Sequence, residues 1–516
     1  MDSIRIKNIR SIVDSGEIQL SRINLLLGKN SSGKSSILRL FPMLKESAKH
    51  ELRGPILWFD ENYDFGDFAN TLSRHAQGEK DAISMKFAWR ASNKVSGRLF
   101  YASRHILADY LPQEGENYSV ELVIGSSGTG DEAIFKRISI KSDNIDVVFE
   151  NIPKGDHLTL TINGREIGQG IFEWNYSSTG ILPSISPLQK FNPFEIIKSA
   201  LANIYGADNL VDNEYYPVSG MKKLSDDDAW TFIKNAFLKK KTKTLTKKII
   251  ASDDYKAAID AALWMNVGWL LHYLDDELSE YFKHTYYITP LRYNYVRYMR
   301  NRDLAVEYVE STGKNVMEYI ESLKKTERDS YIAFLKQTLE IEVEVRGKSN
   351  KSIYVKMKDG EVDNIVDVGY GYSQVLPIAT TLWDRAYKTG RTGEENTIVI
   401  EQPEVHLHPA MQKKLARLFV AAIKLSESRK KKLTLIVETH SQSLVNRLGK
   451  YVQNNDVQLI PELEEFYRDT SESDVKIPKE DVAIYLFDKK HGVTTITKTK
   501  YDNSGRIEQW PLGFLD

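Results

Sequence analysis

The residue types best suited to chemistry occur first in the stretch Gly28–Ser35, which reads Gly-Lys-Asn-Ser-Ser-Gly-Lys-Ser. An apolar run, Ile23–Leu27, broken only by Asn24, precedes it, and a helical pattern, Ser36–Phe41, follows it. A strand, a glycine-bounded loop and a Lys-Ser pair at a helix start form the P-loop arrangement. Glycines let the backbone curl so that several N–H groups point at one phosphate chain, and the helix N-terminus adds partial positive charge.

Two side chains of this loop have the chemistry to handle a magnesium nucleotide. Lys34 can reach the β- and γ-phosphates, and the hydroxyl of Ser35 can ligate Mg²⁺. The alternative is a chance match in a glycine-rich turn, which the flanking strand and helix make the weaker interpretation. The sequence therefore predicts a site for ATP and Mg²⁺ formed by Gly28, Lys29, Asn30, Ser31, Ser32, Gly33, Lys34, Ser35 and Ser36.

A P-loop needs an acidic partner for Mg²⁺, and Glu401 stands where that acid is expected, after the apolar strand Ile398–Ile400. A second acid normally follows at once to polarise the attacking water, but here that position holds Gln402. Glutamine can orient water but is a poor base, so we expect slow or gated hydrolysis. Glu404 could substitute, since a turn would bring it near. The alternative role for Glu401 is to cap a sheet edge.

His440 follows the next apolar strand, Leu433–Val437, within the sequence Glu-Thr-His-Ser. A histidine at such a strand end can donate a hydrogen bond to the γ-phosphate. Lone histidines are more often structural, but the position after the other two motifs favours the functional role. The candidate catalytic residues are therefore Glu401, Gln402, Glu404 and His440, and the candidate metal ligands are Ser35 and Glu401.

Ser373 lies in a second glycine-rich segment, Gly369–Gln374, at the start of the apolar helix predicted from Val375 to Leu382. A capped helix would explain this pattern by itself. The same residue types also form a second phosphate-binding helix end, which makes Ser373 a candidate nucleotide ligand.

The elements that must position these residues follow from periodicity. Residues 4–27 predict two strands, Ile4–Ile9 and Ile18–Leu27. Alternating patterns between residues 83 and 162 predict an antiparallel meander, and residues 191–283 have a helical pattern. Short buried strands then alternate with helices to the C-terminal region. The fold class is α/β with an antiparallel β lobe and a mostly helical insertion.

Composition limits the classes of protein that need consideration. The 516 residues include no cysteine, which excludes disulfides, thiolate zinc sites and cysteine nucleophiles. No apolar run is long enough to cross a membrane, and the N-terminus lacks the pattern of a signal peptide, so we expect a cytoplasmic protein without a membrane partner. The net charge is −1, so a nucleic-acid surface would have to be local. The lysine-rich segment 239–248 is one candidate, although such runs are usually solvated faces.

The order of these motifs resembles that of the ABC-type ATPases of the OLD and RecF-like group, which includes the structural-maintenance and recombination-mediator proteins. The resemblance implies an ABC-type P-loop ATPase head with a mixed sheet, and two protomers that sandwich two ATP molecules, with Ser373 acting in trans. It also implies that Val405–Pro409 crosses the dimer interface. A metal site at His406 and His408 is a weaker alternative.

In this interpretation the chain has three parts. Residues 1–185 are the N-terminal part of the head with the P-loop and the β lobe. Residues 186–284 are the helical insertion. Residues 285–516 are the C-terminal part with the signature, acidic-strand and histidine motifs.

The head motifs also look like those of bacterial AAA ATPases used in anti-phage defence. The segments that carry this resemblance are residues 30–36, 372–377, 401–409 and 438–441. Thr289–Arg292 and residues 505–511 resemble one branch, the PtuA-like subunits of Septu and retron systems. Only a short tail follows Ser441, so the resemblance implies a separate nuclease subunit of the HNH type, similar to PtuB.

Three functional hypotheses follow. The first is a dimer, or higher homo-oligomer, that binds ATP and controls a nuclease effector in defence. The second is a DNA-repair or replication accessory ATPase that clamps DNA, and DNA or RNA is a candidate partner in both. The third is a nucleotide-locked scaffold that never hydrolyses ATP. For Arg292, contact with the nucleotide and pairing within the core both remain open.

Overall fold

The computed structural model describes residues 1–91, 115–126, 132–151, 158–169, 172–176, 179–187, 192–211, 223–239, 245–300, 306–388, 395–453 and 477–510. The chain forms two compact units. The first comprises Met1–Ile18, Met43–Phe59 and Phe65–Lys283, and the second comprises Gln19–Pro42, Asp60–Asp64 and His284–Asp516. The three-part division expected from the sequence stays a prediction. Within the described ranges, no helix is both long and apolar enough to cross a membrane.

The first unit is built on a nine-stranded sheet in the order β12-β11-β10-β9-β8-β7-β1-β2, with β3 paired to β1. Strands β7 to β12 are neighbours in sequence order and antiparallel, which confirms the predicted meander. The strands are β1 (Ser3–Ile9), β2 (Ile12–Asp14), β3 (Ile18–Gln19), β7 (Ala82–Arg90), β8 (Asn117–Ser126), β9 (Ala133–Ser142), β10 (Asp146–Asn151), β11 (Leu158–Ile162) and β12 (Arg165–Gln169). In β11 the side chains of Leu158, Leu160 and Ile162 are buried and the threonines between them are not, as the period of two requires.

Helices make up much of the rest of the first unit, as the pattern of residues 191–283 predicts. Asn192 caps one helix by accepting from the backbone N–H groups of Phe194 and Glu195, and Ser225 caps the next. The helices are α2 (Leu40–Lys49), which begins before this unit, α3 (Phe68–Thr71), α4 (Pro193–Tyr205), α5 (Asp226–Phe237), α6 (Lys247–Ile250) and α7 (Asp253–Lys283). The short strands β13 (Phe172–Asn175) and β14 (Ser184–Pro187) form a further pair in this unit. Another pair joins β5 (Phe59–Asp60) and β6 (Tyr63–Asp64), and Asp60–Asp64 belong to the second unit. Of the lysine-rich segment 239–248, residues 240–244 lie outside the described residues.

The second unit contains a six-stranded mixed sheet in the order β15-β20-β21-β4-β22-β23. The first five strands are parallel, and β23 pairs antiparallel with β22. The strands are β4 (Ile23–Gly28), β15 (Thr285–Ile288), β20 (Glu395–Glu401), β21 (Lys432–Glu438), β22 (Val482–Lys490) and β23 (Val493–Thr499). Because parallel strands end at the same edge, the predicted P-loop, acidic and histidine motifs all begin at one edge of this sheet.

Helices and a smaller sheet complete the second unit. The helices are α1 (Lys34–Leu38), α8 (Val316–Ser322), α9 (Lys325–Leu339), α10 (Tyr370–Tyr387), α11 (Pro409–Ser428) and α12 (Gln442–Gln453). The smaller sheet contains β16 (Met299–Arg300), β17 (Ile341–Arg346), β18 (Asn350–Met357) and β19 (Val362–Asn364). Trp383 of α10 is fully buried in the apolar core of this unit, where its indole N–H donates to Ser330 of α9.

The prediction of one strand over Ile18–Leu27 is wrong. The segment divides into β3 and β4, which belong to different sheets. Between them the Asn24 side chain accepts from the Ser21 N–H at 2.8 Å and donates to the Ser21 carbonyl at 2.7 Å. These two bonds satisfy the Ser21 backbone locally, so Ser21 does not continue the ladder of β3.

Candidate nucleotide-binding site

The site lies at the carboxyl edge of the parallel sheet in the second unit. Strand β21 is placed between β20 and the P-loop strand β4. Glu401, the last residue of β20, is the register partner of Glu438, the last residue of β21. Glu438 is in turn the register partner of Leu26 in β4. The motifs that are far apart in the sequence are thus brought side by side.

The glycines of the P-loop are required by the local backbone. A side chain on Gly28 would place its Cβ 2.3 Å from the carbonyl oxygen of Phe487, so only glycine fits there. Gly33 has a φ of 100°, in the region that L side chains rarely adopt, and helix α1 begins at the next residue. Ser36 donates from its backbone to the Gly33 carbonyl at 3.2 Å. The remaining predicted loop residues divide by exposure: Lys29, Asn30 and Ser31 are exposed, and Ser32 is buried.

Lys34 is buried under the loop, with a side chain that is only 2% exposed. Its ammonium group donates to the carbonyls of Gly28 at 3.0 Å and Lys29 at 2.8 Å. It also lies 3.6 Å from the Oε1 atom of Glu438. Burial lowers the pKa of Lys34, and the nearby carboxylates oppose that shift. The Lys34 ammonium group therefore lies inside the loop that would enclose the phosphates.

Ser35 is bonded to Glu438, a residue that the sequence argument left out. The Ser35 hydroxyl donates to Oε2 of Glu438 at 2.8 Å. Glu438 is 3% exposed, and burial raises its pKa while Lys34 opposes the rise. Its position directly before Thr439 and His440, after a strand of apolar residues, was the available sequence signal.

Glu401 has different partners. Its Oε1 accepts from Nη2 of Arg39 at 2.9 Å, and its Oε2 accepts from Nε of Arg39 at 3.3 Å and from the Tyr287 hydroxyl. Burial and the adjacent Glu401 raise the pKa of Tyr287, so this phenol stays protonated and donates. Glu401 is thus held by a cation at the C-cap of helix α1 and by a phenol from β15.

The three other candidate catalytic residues surround this edge. Gln402 has a φ of 46°, an unusual conformation for a residue with a side chain, and donates its N–H to the Glu438 carbonyl at 2.9 Å. Glu404 accepts from the Thr439 hydroxyl at 2.8 Å and from the His440 N–H at 2.6 Å, and burial raises its pKa. Burial and the charge of Lys34 lower the pKa of His440 to about 4, so its ring is neutral at neutral pH.

Arg292 is a buried cation at the same edge, with 5% of its surface exposed. Its Nη2 donates to the carbonyls of Glu401 at 3.2 Å and Gln402 at 3.1 Å. Its Nε and Nη1 have no hydrogen-bond partner among the described residues. Burial lowers the pKa of Arg292 to about 10, so it remains charged at neutral pH, with Glu404 as its nearby carboxylate.

Ser373, His406 and His408 each contact residues other than the P-loop and the acidic strand ends described above. Ser373 is buried in the first turn of α10, where its hydroxyl donates to the Tyr370 carbonyl at 2.6 Å. The His406 ring packs edge-on against the Tyr370 ring, with 5.3 Å between centroids. Nδ1 of His408 accepts from the Ala410 N–H at 3.3 Å and caps helix α11.

The donor set at this edge fits a magnesium nucleotide. Lys34 and the N-terminus of α1 offer positive charge to phosphates, and Ser35, Glu401 and Glu438 offer the oxygen ligands that Mg²⁺ prefers. Within the described ranges, no group of three or more His, Asp or Glu side chains could hold a metal ion.

Two family models match the chain. Residues 1–445 match the model described as "AAA ATPase domain". Residues 477–516 match a model described as a protein of unknown function. No curated protein matches the sequence.

The chain is also similar to solved heads of Smc proteins. One is the Smc head bound to the C-winged helix domain of ScpA, at 10% identity over 97% of this chain and 98% of that chain, with a TM-score of 0.39. Another is the SMC head domain from Thermotoga maritima, at 12% identity over 96% and 97%, with a TM-score of 0.32. A third is the Smc head from Pyrococcus yayanosii with a coiled coil and joint, at 10% identity over 98% and 97%, with a TM-score of 0.34.

Proposed function

The chain belongs to the AAA ATPase domain family, and from this premise we propose that it works as an ATP-dependent dimer that controls a separate nuclease in anti-phage defence. It is an ATPase, and its cofactors are ATP and Mg²⁺. The ABC-like arrangement of its site is part of this proposal. The dimer, the defence role and the nuclease partner are the parts that this proposal adds, together with a cytoplasmic location.

The nucleotide-binding step rests on the P-loop. Lys34 and the backbone N–H groups at the start of α1 bind and orient the phosphates, and Ser35 orients the metal side. When bound, Mg²⁺ neutralises charge on the phosphates. His440 is neutral and is proposed to donate from its ring to the γ-phosphate.

Hydrolysis in this proposal is slow. Gln402 stands where a base is normally found, and an amide cannot take the proton of the attacking water. Glu404 is a carboxylate with a raised pKa, but its oxygens already accept from Thr439 and His440. A slow reaction would keep ATP bound long enough for its presence to act as a signal to a partner.

One observation on the surface of the second unit supports the proposed dimer. An exposed apolar patch lies beside the helix that bears Ser373, and large patches of this kind mark interaction sites. Its members are Leu291 at 74% exposure, Tyr298 at 61%, Val296 at 50%, Tyr370 at 47% and Val366 at 45%. Contacts of Tyr370 and of residues beside the other members bring these segments together: Tyr370 bonds to Asn294 and packs on His406, and Arg297 pairs with Asp367 at 2.6 Å. In the proposed ATP sandwich, a second copy of this chain covers this patch.

Mixing two inactive variants tests this dimer directly. In a sandwich each site takes its P-loop from one protomer and its Ser373 from the other. Lys34→Ala and Ser373→Arg should each lose ATP turnover alone. Mixed together they should regain part of it, because a mixed dimer contains one site with both residues intact. Turnover that stays absent in the mixture, while mixed dimers are detected by mass, would contradict the exchange of Ser373 between protomers.

The defence role is supported by the motif segments, above all Thr289–Arg292 and residues 505–511. Its test is phage plating on cells that carry this gene with its genomic neighbours. We expect protection that disappears with Lys34→Ala and also when the neighbouring nuclease gene is deleted. Equal plating with and without the gene set, combined with ATP turnover that DNA stimulates, would favour the repair or replication ATPase instead.

A further inference from the structure

Arg292 lies in the segment that follows β15, and it is bonded to the backbone at the end of the neighbouring strand β20. Its Nη2 donates to two successive carbonyls, those of Glu401 at 3.2 Å and Gln402 at 3.1 Å. Its Nε and Nη1 have no hydrogen-bond partner in the described part of the chain. The two carbonyls therefore hold the guanidinium group in place, and no described carboxylate accepts a hydrogen bond from it.

The burial of Arg292 argues against a role in stability alone. The residue is 5% exposed, and a buried cation costs free energy unless acceptors or an anion surround it. Burial lowers the pKa of Arg292 to about 10, so the charge is still present at neutral pH. An apolar side chain of similar length would fill the same space without that cost. The advantage of an arginine here lies in its bonds to the two carbonyls.

Gln402 needs support from its neighbours because its backbone conformation is unfavourable. Its φ is 46°, in the left-handed region that residues with side chains rarely adopt. Its N–H donates to the Glu438 carbonyl at 2.9 Å, and its carbonyl accepts from the Val405 N–H at 3.3 Å. Arg292 adds a charged donor to that carbonyl, and charged donors form stronger hydrogen bonds than neutral ones. These bonds together fix the direction in which the Gln402 side chain leaves the backbone.

A second arginine of the same unit makes a similar contact outside the site. Arg328 of α9 donates from Nη2 to the successive carbonyls of Ile320 at 3.5 Å and Glu321 at 3.3 Å. Arg328 is exposed, and its acceptors lie at the C-terminal end of α8, where such side chains commonly bond to helix carbonyls. The acceptors of Arg292 belong instead to two candidate site residues, Glu401 and Gln402.

We propose that Arg292 is a positioning residue for ATP hydrolysis, which holds the backbone of Glu401 and Gln402 so that the Gln402 amide orients the attacking water. The proposal rests on the proposed function, in particular on hydrolysis at the P-loop. It retains Glu401 as the candidate metal ligand. Because an amide cannot take a proton, the contribution of Gln402 depends on its orientation, and a displaced backbone would remove that contribution.

The first test is a double-mutant cycle in single-turnover ATP hydrolysis, with the protein in excess over labelled ATP. Arg292→Met removes the donors and should lower the rate constant about 10- to 100-fold, as the displacement of an aligned group does. When Gln402→Ala is already present, the same substitution should cause little further loss, because the side chain that Arg292 positions is gone. ATP affinity, measured by calorimetry, should stay that of the wild type. Arg292→Lys retains the charge and should recover part of the rate.

A second readout needs no nucleotide. Hydrogen–deuterium exchange, followed by mass spectrometry of peptides, reports the opening of the hydrogen bonds from the Gln402 and Val405 N–H groups. In Arg292→Met, peptides that cover residues 401–405 should exchange faster than in the wild type. The matched control is Arg328→Met, which removes a similar pair of bonds and should change neither this segment nor the rate of hydrolysis. Should Arg292→Met fail to fold by circular dichroism, Arg292→Lys should show both effects at a smaller size.

The outcomes separate this role from the proposed function. A wild-type protein that binds no ATP, or that never hydrolyses it, overturns both together. A wild type that hydrolyses ATP, together with an Arg292→Met variant of unchanged rate, overturns the positioning role alone. An ATP affinity that falls in Arg292→Met while the rate constant is unchanged would place the arginine on the nucleotide and would also overturn it. Losses that multiply fully in the double variant would show that Arg292 does not act through Gln402.

Discussion

The carboxyl edge of the parallel sheet and the antiparallel sheet of the first unit bury their residues by different rules. In strand β11 of the antiparallel sheet, the buried apolar side chains of Leu158, Leu160 and Ile162 alternate with partly exposed threonines. Its ion pairs, such as Arg5 with Asp14, stay at the surface. At the parallel edge, two carboxylates and a lysine are buried together. The first arrangement serves stability, while the second keeps charges in place for a ligand.

The largest expected effect is a loss of stability in the apolar core of the antiparallel sheet. Phe149 is fully buried in β10 and packs edge-on against Trp174 at 5.9 Å. Phe149→Ala should lower the free energy of unfolding of the first unit by about 3–5 kcal/mol, through lost burial and a cavity. Urea unfolding measures this loss, and Thr159→Ala on the solvent side of β11 is the control, expected within about 0.5 kcal/mol. A loss below about 1 kcal/mol would contradict the description of this core.

A smaller effect is expected at the Arg39–Glu401 pair. Glu401 is 4% exposed and Arg39 is 32% exposed, so removing the arginine leaves a buried carboxylate while water still screens part of the pair. Arg39→Met should cost about 1–3 kcal/mol, and the double variant Arg39→Met with Glu401→Gln should recover part of that loss. A double-mutant cycle from urea unfolding gives the coupling energy. Purely additive losses would show that the pair is not a coupled unit.

The lowered pKa of His440 predicts that the stability of the folded chain depends on pH. Its pKa is about 4 in the folded chain and ordinarily 6.5, so the unfolded chain binds more protons between these values. Its contribution to stability is therefore present above pH 6.5 and is lost as the pH falls toward 4. His440 is only partly buried, so the loss is about 1 kcal/mol after solvent screening is considered.

Melting curves of the wild type and His440→Gln between pH 7 and pH 4 test this dependence. The variant should lose less stability over that interval than the wild type. Glu404 and Glu438 have raised pKa values and act in the opposite direction, but they are present in both proteins. Parallel pH profiles for the two proteins would contradict a lowered pKa of His440 in the folded chain.

The smallest effect is expected at the surface of the antiparallel sheet. Arg5 donates to both oxygens of Asp14, at 2.9 and 2.6 Å, but the two side chains are 36% and 40% exposed. Such pairs contribute about 0.2–1 kcal/mol, so Arg5→Met with Asp14→Asn should give a small coupling energy by the same double-mutant cycle. A coupling energy equal to that of Arg39 and Glu401 would remove the distinction between the two regions.

Much of this molecule follows from its sequence, because local patterns specify local structure. The P-loop between an apolar strand and a helix, the individual strands of the meander and the strand that ends at Glu401 are each marked by residues close together in the sequence. The break between β3 and β4 was missed because it depends on the side chain of Asn24, which lies within an apolar run.

The partner of Ser35 could not be read from local patterns. Glu401 and Glu438 both follow apolar strands and are equivalent by that criterion. Which of them meets the P-loop depends on the order β20-β21-β4, a property of the whole sheet. The roles predicted for Glu401, Gln402, Glu404, His440 and Ser373 stay predictions that the variants above address.

The most direct test of the account is ATP turnover by the purified protein, with and without DNA, beside Lys34→Ala, while the mass in solution is recorded with and without ATP. The account predicts slow turnover that requires Lys34, and association that ATP promotes. Tight ATP binding without turnover would leave a nucleotide-locked scaffold in place of an ATPase. A protein that binds no ATP would contradict the assignment of the sheet edge as a nucleotide site.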